Sequence, residues 1–417
     1  MVHLDDSLLP AAPYLTGTGA AALVATVLDA NDGELIELRP TQVLYRPGRD
    51  LVVSYDARVS WSGRAPVAET VCAGTTVDGP PQGAVALEAD GMSVGVWRYP
   101  FDPALPGLER AVWVAPVGEL LGVDPARLRL AVRAFRPSKR AVVHATWPGG
   151  EAYVKVVAPD RLAGLVERHA VLGAAGVPVP EVLATDVEHG LLAMRALHGT
   201  DMRVRLIEGS SALPSGGEIR DLVTAFASVD LGRADSRRPP LLDAAPRHAA
   251  LVRSVLPEVG DELDALLSRL AVVSVVGRPM VTIHGDLHDA QIRIDDQGRI
   301  VGVLDVDDAG PGDPLDDLAR VLGHMVALSL LAGSDTITIL DRVERMRTEM
   351  VDPAELAQLD VRVAAALVGL ATGPFRAQDD DWRQGVRRVL DAAARWSART
   401  GQMREPSGWP HRRPIPG

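Results

Sequence analysis

Short runs of alternating hydrophobic and polar residues follow a helix-like stretch at residues 19–28. The runs QVLYRPG, DLVVSYDARV and MSVGVWRYP are separated by Gly/Pro-rich breaks between residues 34 and 100. A hydrophobic period of two that is bounded by turn residues is typical of strands buried on one face. The pattern therefore predicts an antiparallel β unit at the start of the chain.

A second group of β-like runs begins near residue 129. The runs RLAVRAF, AVVHATW and EAYVKVV are separated by tight breaks and predict three strands of a second, smaller sheet. A helix with an apolar stripe over residues 162–170 follows, and the runs VPEVLAT and GLLAMRAL complete this unit. From about residue 217 the period is helical almost to the C-terminus, except for one β-like island from MVTIHGD to GVLDVDD.

The two β units share a weak internal similarity. Residues 45–49 (YRPGR), followed shortly by LVVS, resemble residues 135–139 (FRPSK), followed shortly by AVVH. A duplicated hairpin would explain the match, and two hairpins that converged on Arg-Pro turns would explain it equally well.

Composition and charge narrow the class of protein. Of the 417 residues, 47% are hydrophobic and 24% are charged, which predicts two or three packed globular units. The net charge of -12 argues against a nucleic-acid binder and fits neutral or cationic ligands slightly better. A single cysteine, Cys72, excludes an internal disulfide and a cysteine zinc site. The N-terminus is acidic and no apolar run reaches roughly 18 residues, so we expect a cytoplasmic protein without membrane contact.

The β-like island carries the residues that a phosphoryl transfer needs. Asp286 follows the apolar run 280–283, and Gln291 comes five residues later. A second apolar run, 300–304, is followed by Asp305 and then by Asp307. Transfer from ATP requires a carboxylate that orients the acceptor hydroxyl and hard oxygen ligands for magnesium, and the catalytic Asp and metal-binding Asn of kinases have the same separation.

These motifs resemble the signature of the aminoglycoside phosphotransferase and choline kinase superfamily. The resemblance rests on HGDLHDAQ followed by VLDVDDAGPGDPLDDLA and covers roughly residues 130–400. It implies that Asp286 is the catalytic base and that Asp317 caps the following helix. Gln291, Asp305 and Asp307 are the implied magnesium ligands, and the residues implied to brace the loop are His284 and His288.

The resemblance also implies an α+β, two-lobed protein-kinase-like fold with an additional N-terminal β-rich cap. We expect a cap at residues 1–120, a small β-rich nucleotide-binding N-lobe at 121–200, a large, mostly helical C-lobe at 201–404 and a loose tail at 405–417. Most of the superfamily has Asn where this chain has Gln291. A similar HGDLHxxQ pattern occurs in bacterial maltokinases and related actinobacterial sugar kinases, which also carry an N-terminal cap, so the resemblance favours a sugar acceptor.

Candidate nucleotide-binding residues precede the island. Lys155 lies late in the run EAYVKVV, as does the lysine that contacts ATP phosphates in kinases, and Glu167 in the next helix is its expected partner. The turn at residues 137–140 lacks glycine; Ser138 and Lys139 could bind phosphate there, or the turn could be a plain charged hairpin turn. By resemblance alone, residues 194–197 correspond to the hinge that offers backbone groups to adenine, and the hinge candidates are Met194 and Ala196.

The acceptor site is expected in the helical lobe. Candidates are residues 373–376 together with Asp379, Asp380 and Trp382, where acids stand beside an aromatic ring. An acidic helix cap with Trp382 in the core is the alternative interpretation.

The sequence thus predicts an ATP- and magnesium-dependent phosphotransferase that acts on a hydroxyl of a sugar, an aminosugar or an aminoglycoside, as a monomer or homodimer. The alternatives are an aminoglycoside-resistance phosphotransferase specifically and a nucleotide-binding pseudokinase with a regulatory role. A protein kinase is disfavoured because HGD replaces the HRD motif and no APE segment follows Asp305.

Overall fold

The computed structural model describes residue 8 and residues 11–89, 91–232, 238–272, 278–331 and 336–399. The predicted loose tail at 405–417 lies outside these residues. Two helices come first and are followed by five antiparallel strands in the order β1-β2-β3-β5-β4, which confirms the predicted β unit. The elements are α1 (Ala11–Thr16), α2 (Gly19–Asp29), β1 (Gly33–Arg46), β2 (Asp50–Trp61), β3 (Val67–Thr76), β4 (Val85–Ala89) and β5 (Met92–Arg98).

A second five-stranded antiparallel sheet follows, with strand order β6-β7-β8-β10-β9. Its first three strands are the three runs predicted from the alternating pattern. The elements are α3 (Leu108–Ala111), α4 (Val114–Leu121), β6 (Arg129–Arg136), β7 (Arg140–Trp147), β8 (Gly150–Val156), α5 (Pro159–Ala174), β9 (Val182–Asp186) and β10 (Leu191–Arg195).

The two sheets have the same topology. In each, three strands pair in sequence, and the fifth strand lies between the third and the fourth. The first two strands of each sheet are joined by a three-residue turn that begins with the proline of the Arg-Pro sequence. They differ in that α5 connects β8 to β9, whereas a turn connects β3 to β4. A shared order of five strands favours duplication of the unit over convergence of two hairpins.

The remaining chain is mostly helical and surrounds one hydrophobic core, so the predicted two-lobed fold with a β-rich cap is confirmed. Two short sheets, β11-β13-β14 and β12-β15, carry the island between the helices. The elements are β11 (Thr200–Asp201), α6 (Met202–Ile207), α7 (Gly216–Ala227), α8 (Leu241–Val255), α9 (Gly260–Val272), β12 (Val281–Ile283), β13 (Ile292–Ile294), β14 (Ile300–Val303), β15 (Gly310–Gly312), α10 (Pro314–Leu331), α11 (Thr336–Met350), α12 (Leu356–Leu370), α13 (Gly373–Ala377) and α14 (Trp382–Ala398).

One helical segment, Pro353–Ala377, is long and apolar enough to cross a membrane, which the sequence pattern did not lead us to expect. About two thirds of its apolar window, 67%, is buried inside the protein. Its main helix, α12, packs against α8, α10 and α14. Helices that are apolar on all sides are typical of the centre of a large helical core, and α12 has that place here.

The cap packs against both lobes. On the helical side, Leu251 from α8 and Phe375 from α13 are buried in the same hydrophobic cluster as the cap strands. On the side of the second sheet, Phe135 packs against a cap cluster of Val52, Cys72 and Trp97. The segment that contains α3 and α4 belongs to the core of the second sheet, although it precedes the predicted boundary at residue 120. The boundary itself stays a prediction.

Phe375 gives a direct test of the contact between cap and helical lobe. Its ring is buried and meets Trp382 edge-on with ring centroids 5.1 Å apart. We expect Phe375→Ala to lower the apparent free energy of unfolding in urea by about 3 kcal/mol, because the truncation leaves a cavity. Phe375→Leu keeps most of the volume and should cost less than about 1.5 kcal/mol. Equal stability of Phe375→Ala and the wild type would show that this contact is not stabilising.

Candidate active site

The loop after β12 has a conformation that only glycine allows at its second position. Gly285 has a φ of +82°, and a Cβ at this residue would lie 2.4 Å from the carbonyl oxygen of Asp308. The preceding side chain, His284, is buried; its Nε2 lies 2.9 Å from the Leu304 carbonyl oxygen and donates to it. The backbone N–H of Asp286 then donates to Nδ1 of His284 at 3.3 Å. His284 therefore joins this loop to the end of β14.

Asp317 also holds this loop. Its fully buried carboxylate accepts hydrogen bonds from the backbone N–H of His284 at 2.6 Å and of Gly285 at 3.0 Å. The residue lies in the first turn of α10, but its side chain serves the loop and not the helix end. The expectation that Asp317 caps the following helix is therefore wrong.

Asp286 forms an ion pair with an arginine that was not predicted from the sequence. Arg238 donates from Nη1 to Asp286 Oδ1 at 2.7 Å and from Nη2 to Oδ2 at 3.0 Å. Its Nε donates to Asp308 Oδ2 at 2.7 Å. Burial raises the pKa of Asp286, but the charges of Arg238 and Arg320 outweigh it and hold the pKa at about 2. Asp286 is therefore a carboxylate at neutral pH.

His288 lies on the other side of the loop. Its ring stacks on His324 with centroids 4.3 Å apart, and its Nδ1 accepts a hydrogen bond from the Ala290 backbone at 3.2 Å. Burial lowers the pKa of both imidazoles, that of His324 to about 3, so both are neutral at pH 7. Ring atoms of both approach the carboxylate of Asp289, but Arg203 donates to both Asp289 oxygens at 2.7 and 3.1 Å. These neutral rings pack beside the loop that carries Asp286.

Asp305 follows β14 in a left-handed conformation, with a φ of +63°. Lys155 Nζ from β8 lies 2.8 Å from its Oδ1, and Arg140 Nη1 from β7 lies 2.6 Å from its Oδ2. Lys155 also contacts Asp307, which a turn after Asp305, and not a continued strand, brings to the same side. Burial raises the pKa of Asp305, but Lys155 and Arg140 outweigh it and hold the pKa well below its usual value.

Gln291 has an amide oxygen with no hydrogen-bond partner. The residue is buried, and its Nε2 lies 3.4 Å from Asp305 Oδ2. Its Oε1 is buried and, in the described part of the chain, accepts no hydrogen bond. A buried amide oxygen rarely stays unpaired, and amide and carboxylate oxygens are the ligands that magnesium prefers. Gln291, Asp305 and Asp307 therefore fit a site for a hard divalent cation.

The predicted ion pair between Lys155 and Glu167 is wrong. Glu167 is exposed on α5, whose buried face consists of Leu162, Leu165, His169 and Leu172. Since successive helical residues are turned by about 100°, Glu167 is turned away from this face, and His169 faces inward in its place. The cationic Lys155 is neutralised by Asp305 and Asp307 from the opposite lobe.

The turn between β6 and β7 is held by a residue that follows β5, the last strand of the cap sheet. Asp102 is buried, and its Oδ2 accepts the backbone N–H of Ser138, which has a φ of +57°, at 2.9 Å. Lys139 is half-buried, and we find no ion pair for it among the described residues. Burial, and after it the charges of Arg140 and Arg136, lowers its pKa to about 8. An ammonium group without a counter-ion at this turn is suited to a phosphate ligand.

The hinge candidates lie at the end of the second sheet. Met194 is paired with Tyr153 of β8 and packs against the core of the helical lobe, and Ala196 follows β10 directly. The structure thus places both where the chain leaves the second sheet for the helical lobe. Their contact with adenine stays a prediction.

The predicted acidic acceptor group is not part of this cluster. Asp379 and Asp380 are exposed, and Trp382 packs edge-on against Phe375 beside the cap core. Of the alternative interpretation, an acidic helix cap with Trp382 in the core, the packing of Trp382 is confirmed, but Asp381 at the start of α14 forms no side-chain capping hydrogen bond. Of the predicted acceptor segment 373–376, Arg376 lies close to Arg238 and His248, as described below.

Residues 136–356 match the sequence model of the phosphotransferase enzyme family (APH). This is more than half of the chain. The chain belongs to this family. It is therefore a phosphotransferase that acts on an alcohol group, as the sequence predicted. A comparison with curated proteins gave no match.

Several solved structures resemble this phosphotransferase. Aminoglycoside 2'-phosphotransferase-IIIa in its GDP complex is 15% identical, with 64% of this chain and 93% of that chain covered and a TM-score of 0.46. A thermostable mutant of aminoglycoside phosphotransferase APH(4)-Ia in ternary complex with ADP and hygromycin B is 18% identical, with 68% and 97% covered and a TM-score of 0.46. Macrolide 2'-phosphotransferase MphH from Brachybacterium faecium is 20% identical, with 64% and 92% covered and a TM-score of 0.40.

Three residues that contact the predicted site of this phosphotransferase were not predicted as site residues from the sequence. Arg140 is the last residue of the predicted turn, so its sequence position was a usable signal. Arg238 reaches Asp286 from 48 positions away, and Asp102 reaches Ser138 from 36 positions away. No local motif marks either of them, because their partners come from separate elements.

The lowered pKa of Lys139 predicts that nucleotide binding depends on pH. A bound polyphosphate favours the charged ammonium, so binding should take up a proton above the pKa of about 8, and affinity should fall as the pH rises through that value. We expect calorimetry at pH 8.5, in two buffers with different ionisation enthalpies, to show proton uptake on ATP binding.

The matched control is Lys139→Arg, which keeps the charge but does not titrate in this range. It should bind ATP at pH 8.5 without proton uptake. If the wild type binds ATP with the same affinity at pH 7 and pH 9, Lys139 does not contact the phosphates.

Proposed function

We propose that this phosphotransferase transfers the γ-phosphate of ATP to a hydroxyl of a sugar or a sugar-like small molecule. The observation that supports this most is the cluster around Asp305. Two cations from the second sheet, Lys155 and Arg140, meet the carboxylates of Asp305 and Asp307 from the helical lobe, next to the unpaired Gln291 amide oxygen. Positioning of phosphate between cations and hard ligands is most of what phosphoryl transfer requires of a protein.

In this proposal, Asp286 accepts a hydrogen bond from the acceptor hydroxyl and orients its oxygen toward the γ-phosphorus. With a pKa of about 2, the carboxylate is a weak base, which suits a reaction in which positioning matters more than early proton removal. Lys155, Arg140 and Lys139 hold the phosphates. Gln291, Asp305 and Asp307 would hold a magnesium ion, which supplies charge neutralisation of the phosphate oxygens. The residue that follows β10, Ala196, offers backbone groups to the base.

The proposal of a sugar rests on the resemblance of HGDLHxxQ and of the cap to those of sugar kinases. An aminoglycoside carries several ammonium groups and needs unpaired acids in its site. Asp379 and Asp380, the acids that would serve, are exposed and apart from the cluster. The acids beside the acceptor position, Asp286 and Asp308, are both already bonded to Arg238.

The bond between Arg238 and Asp286 favours a second candidate function, a nucleotide-binding protein with little turnover. Both Asp286 oxygens receive hydrogen bonds from Arg238, so an acceptor hydroxyl has to compete for them. ATP binding without ADP release in the presence of any acceptor would support this candidate.

Asp286→Asn tests the proposed chemistry. The substitution keeps the shape of the side chain but removes its charge, and we expect ADP release with a sugar acceptor to fall by a factor of at least about 100. Asp379→Asn, at an exposed acid outside the cluster, should leave the rate unchanged. The acceptors compared are glucose, glucosamine, glucuronate, glucose 6-phosphate and kanamycin. ADP release that is equally fast in Asp286→Asn would exclude Asp286 as the orienting carboxylate.

Gln291 gives a test of the proposed magnesium ligands. We expect Gln291→Leu to raise the magnesium concentration at half-maximal rate by a factor of about 10, because one of the oxygen ligands is removed. Gln291→Glu restores an oxygen at the same distance and should recover most of this loss. An unchanged magnesium dependence in Gln291→Leu would show that the amide oxygen does not reach the ion.

A further inference from the structure

A group of cationic and polar side chains lies beside Asp286 on the helical lobe. It comes from three helices, α8, α10 and α13, from the residue before α13 and from the segment before α8. We call it the basic pocket, and its residues are Arg238, His248, Arg320, Thr372 and Arg376.

The members of the basic pocket lie close enough to affect one another's ionisation. Burial first, and then the charges of Arg376, Arg320 and Arg238 among its neighbours, lowers the pKa of His248 to about 4. Burial and the charge of Arg238 lower the pKa of Arg320. Arg376 is exposed on α13, and partial removal of its guanidinium from water, together with the charges of Arg136 and Arg238, lowers its pKa. His248 lies beside Gly369 of α12, since a Cβ at Gly369 would be 2.9 Å from His248 Nδ1. Thr372 follows Gly369 by three residues, about one helical turn.

Three polar atoms of the basic pocket are buried and, in the part of the chain that the structure describes, have no hydrogen-bond partner. They are His248 Nδ1, Arg320 Nε and Thr372 Oγ1. Arg320 and Arg376 also form no ion pair within the described ranges. Buried polar atoms are almost always paired, and cations that gather without a carboxylate at ion-pair distance are only partly neutralised. A ligand with oxygen atoms and negative charge would satisfy both conditions.

The acids near the basic pocket are already bonded elsewhere. Arg238 binds Asp286 and Asp308, Asp316 accepts from Arg362 Nε at 3.2 Å, and Asp317 accepts from two loop amides. A neutral acceptor would have to compete with Arg238 for Asp286 and would give the arginine no replacement. An anionic acceptor supplies a replacement, which leaves an Asp286 oxygen free for the acceptor hydroxyl.

We propose that the acceptor of this phosphotransferase carries an anionic group, a carboxylate or a phosphate, which the basic pocket binds through Arg320, Arg376 and Arg238. The inference rests on the proposed function, because it names the acceptor class of that same site. The cations that are expected to bind ATP come from β7, β8 and the β6–β7 turn, whereas those of the basic pocket come from the lobe that carries Asp286. Arg238 acts as a positioning residue. When the acceptor binds, Arg238 exchanges its hydrogen bonds to Asp286 for hydrogen bonds to the acceptor anion.

Four compounds with the same sugar ring separate charge from shape: glucose is neutral, glucosamine is cationic, and glucuronate and glucose 6-phosphate are anionic. Their binding to the full chain is measured by calorimetry with the nucleotide site saturated by ADP, and ADP release is measured separately with ATP. We expect at least one anionic compound to bind about tenfold or more tightly than glucose and glucosamine. Comparison of the two anions distinguishes a carboxylate acceptor from a phosphate acceptor.

Arg320→Gln and Arg376→Gln, made singly, should each weaken binding of the anionic compound by a factor of about 10 and leave the KM for ATP unchanged. The matched control is Arg383→Gln, because Arg383 is exposed and lies over the ring of Trp382. A far-UV circular dichroism spectrum and Tm confirm that each variant is folded.

Tighter binding of glucose or glucosamine, or no binding of any anionic compound, would overturn the inference even if a phosphate is transferred. Binding of an anionic compound that depends on Arg320 and Arg376, without ADP release from any acceptor, would support the basic pocket and contradict the proposed function. The two failures are therefore distinguishable.

Discussion

The buried carboxylate of Asp305 is the group on which the arrangement of the two lobes depends. Its charge comes from the end of β14 in the helical lobe, whereas its neutralising cations, Lys155 and Arg140, come from the second sheet. A buried carboxylate without such partners would be strongly destabilising, so this ion cluster fixes the distance between the lobes. The same carboxylate is the one that a metal between the lobes would need. The contact that joins the two lobes is thus also the one that a bound nucleotide would reorganise.

The N-terminal cap restricts the same cleft from both sides. Phe375 of α13 is buried in the cap core, and Arg376 is the next residue in the chain. On the opposite side, Phe135 at the end of β6 packs against Trp97 of the cap, and Asp102 holds the following turn through Ser138. The cap therefore positions one cation of the basic pocket and the turn that carries Lys139. This arrangement gives the extra unit a function in positioning, in addition to its contribution to the hydrophobic core.

The identical strand order of the cap and the second sheet favours an origin of the cap by duplication. In the second sheet, α5 covers one face and contacts the turn after Asp305, whereas the cap sheet has α1 and α2 on its buried face. The two copies have thus kept the sheet and diverged in the helix that covers it. In the second sheet, the Arg-Pro turn lies at the cleft and presents Lys139. In the cap, Arg46 and Asp50 form an ion pair across the equivalent turn.

The sequence by itself determined the elements and the order of the chemistry. Alternating runs predicted β1, β2 and β5 of the cap and β6, β7 and β8 of the second sheet, because this signal depends only on neighbours along the chain. The resemblance of HGDLHDAQ and VLDVDDAGPGDPLDDLA to the superfamily signature predicted the family. Helix phase, which is also local, is sufficient to exclude Glu167, because the stripe through Leu162, Leu165 and His169 leaves residue 167 on the opposite face of the helix.

Only the tertiary structure decided the partners of these groups. Arg238 on Asp286, Asp102 on Ser138 and the basic pocket join side chains from elements that lie far apart in sequence. Such pairs are selected by the packing of helices and sheets around the cores, and a long-range ion pair leaves no periodic signal in a single sequence. For this reason the reaction class could be predicted from the chain, whereas the charge of the acceptor site emerged only when α8, α10 and α13 were brought together.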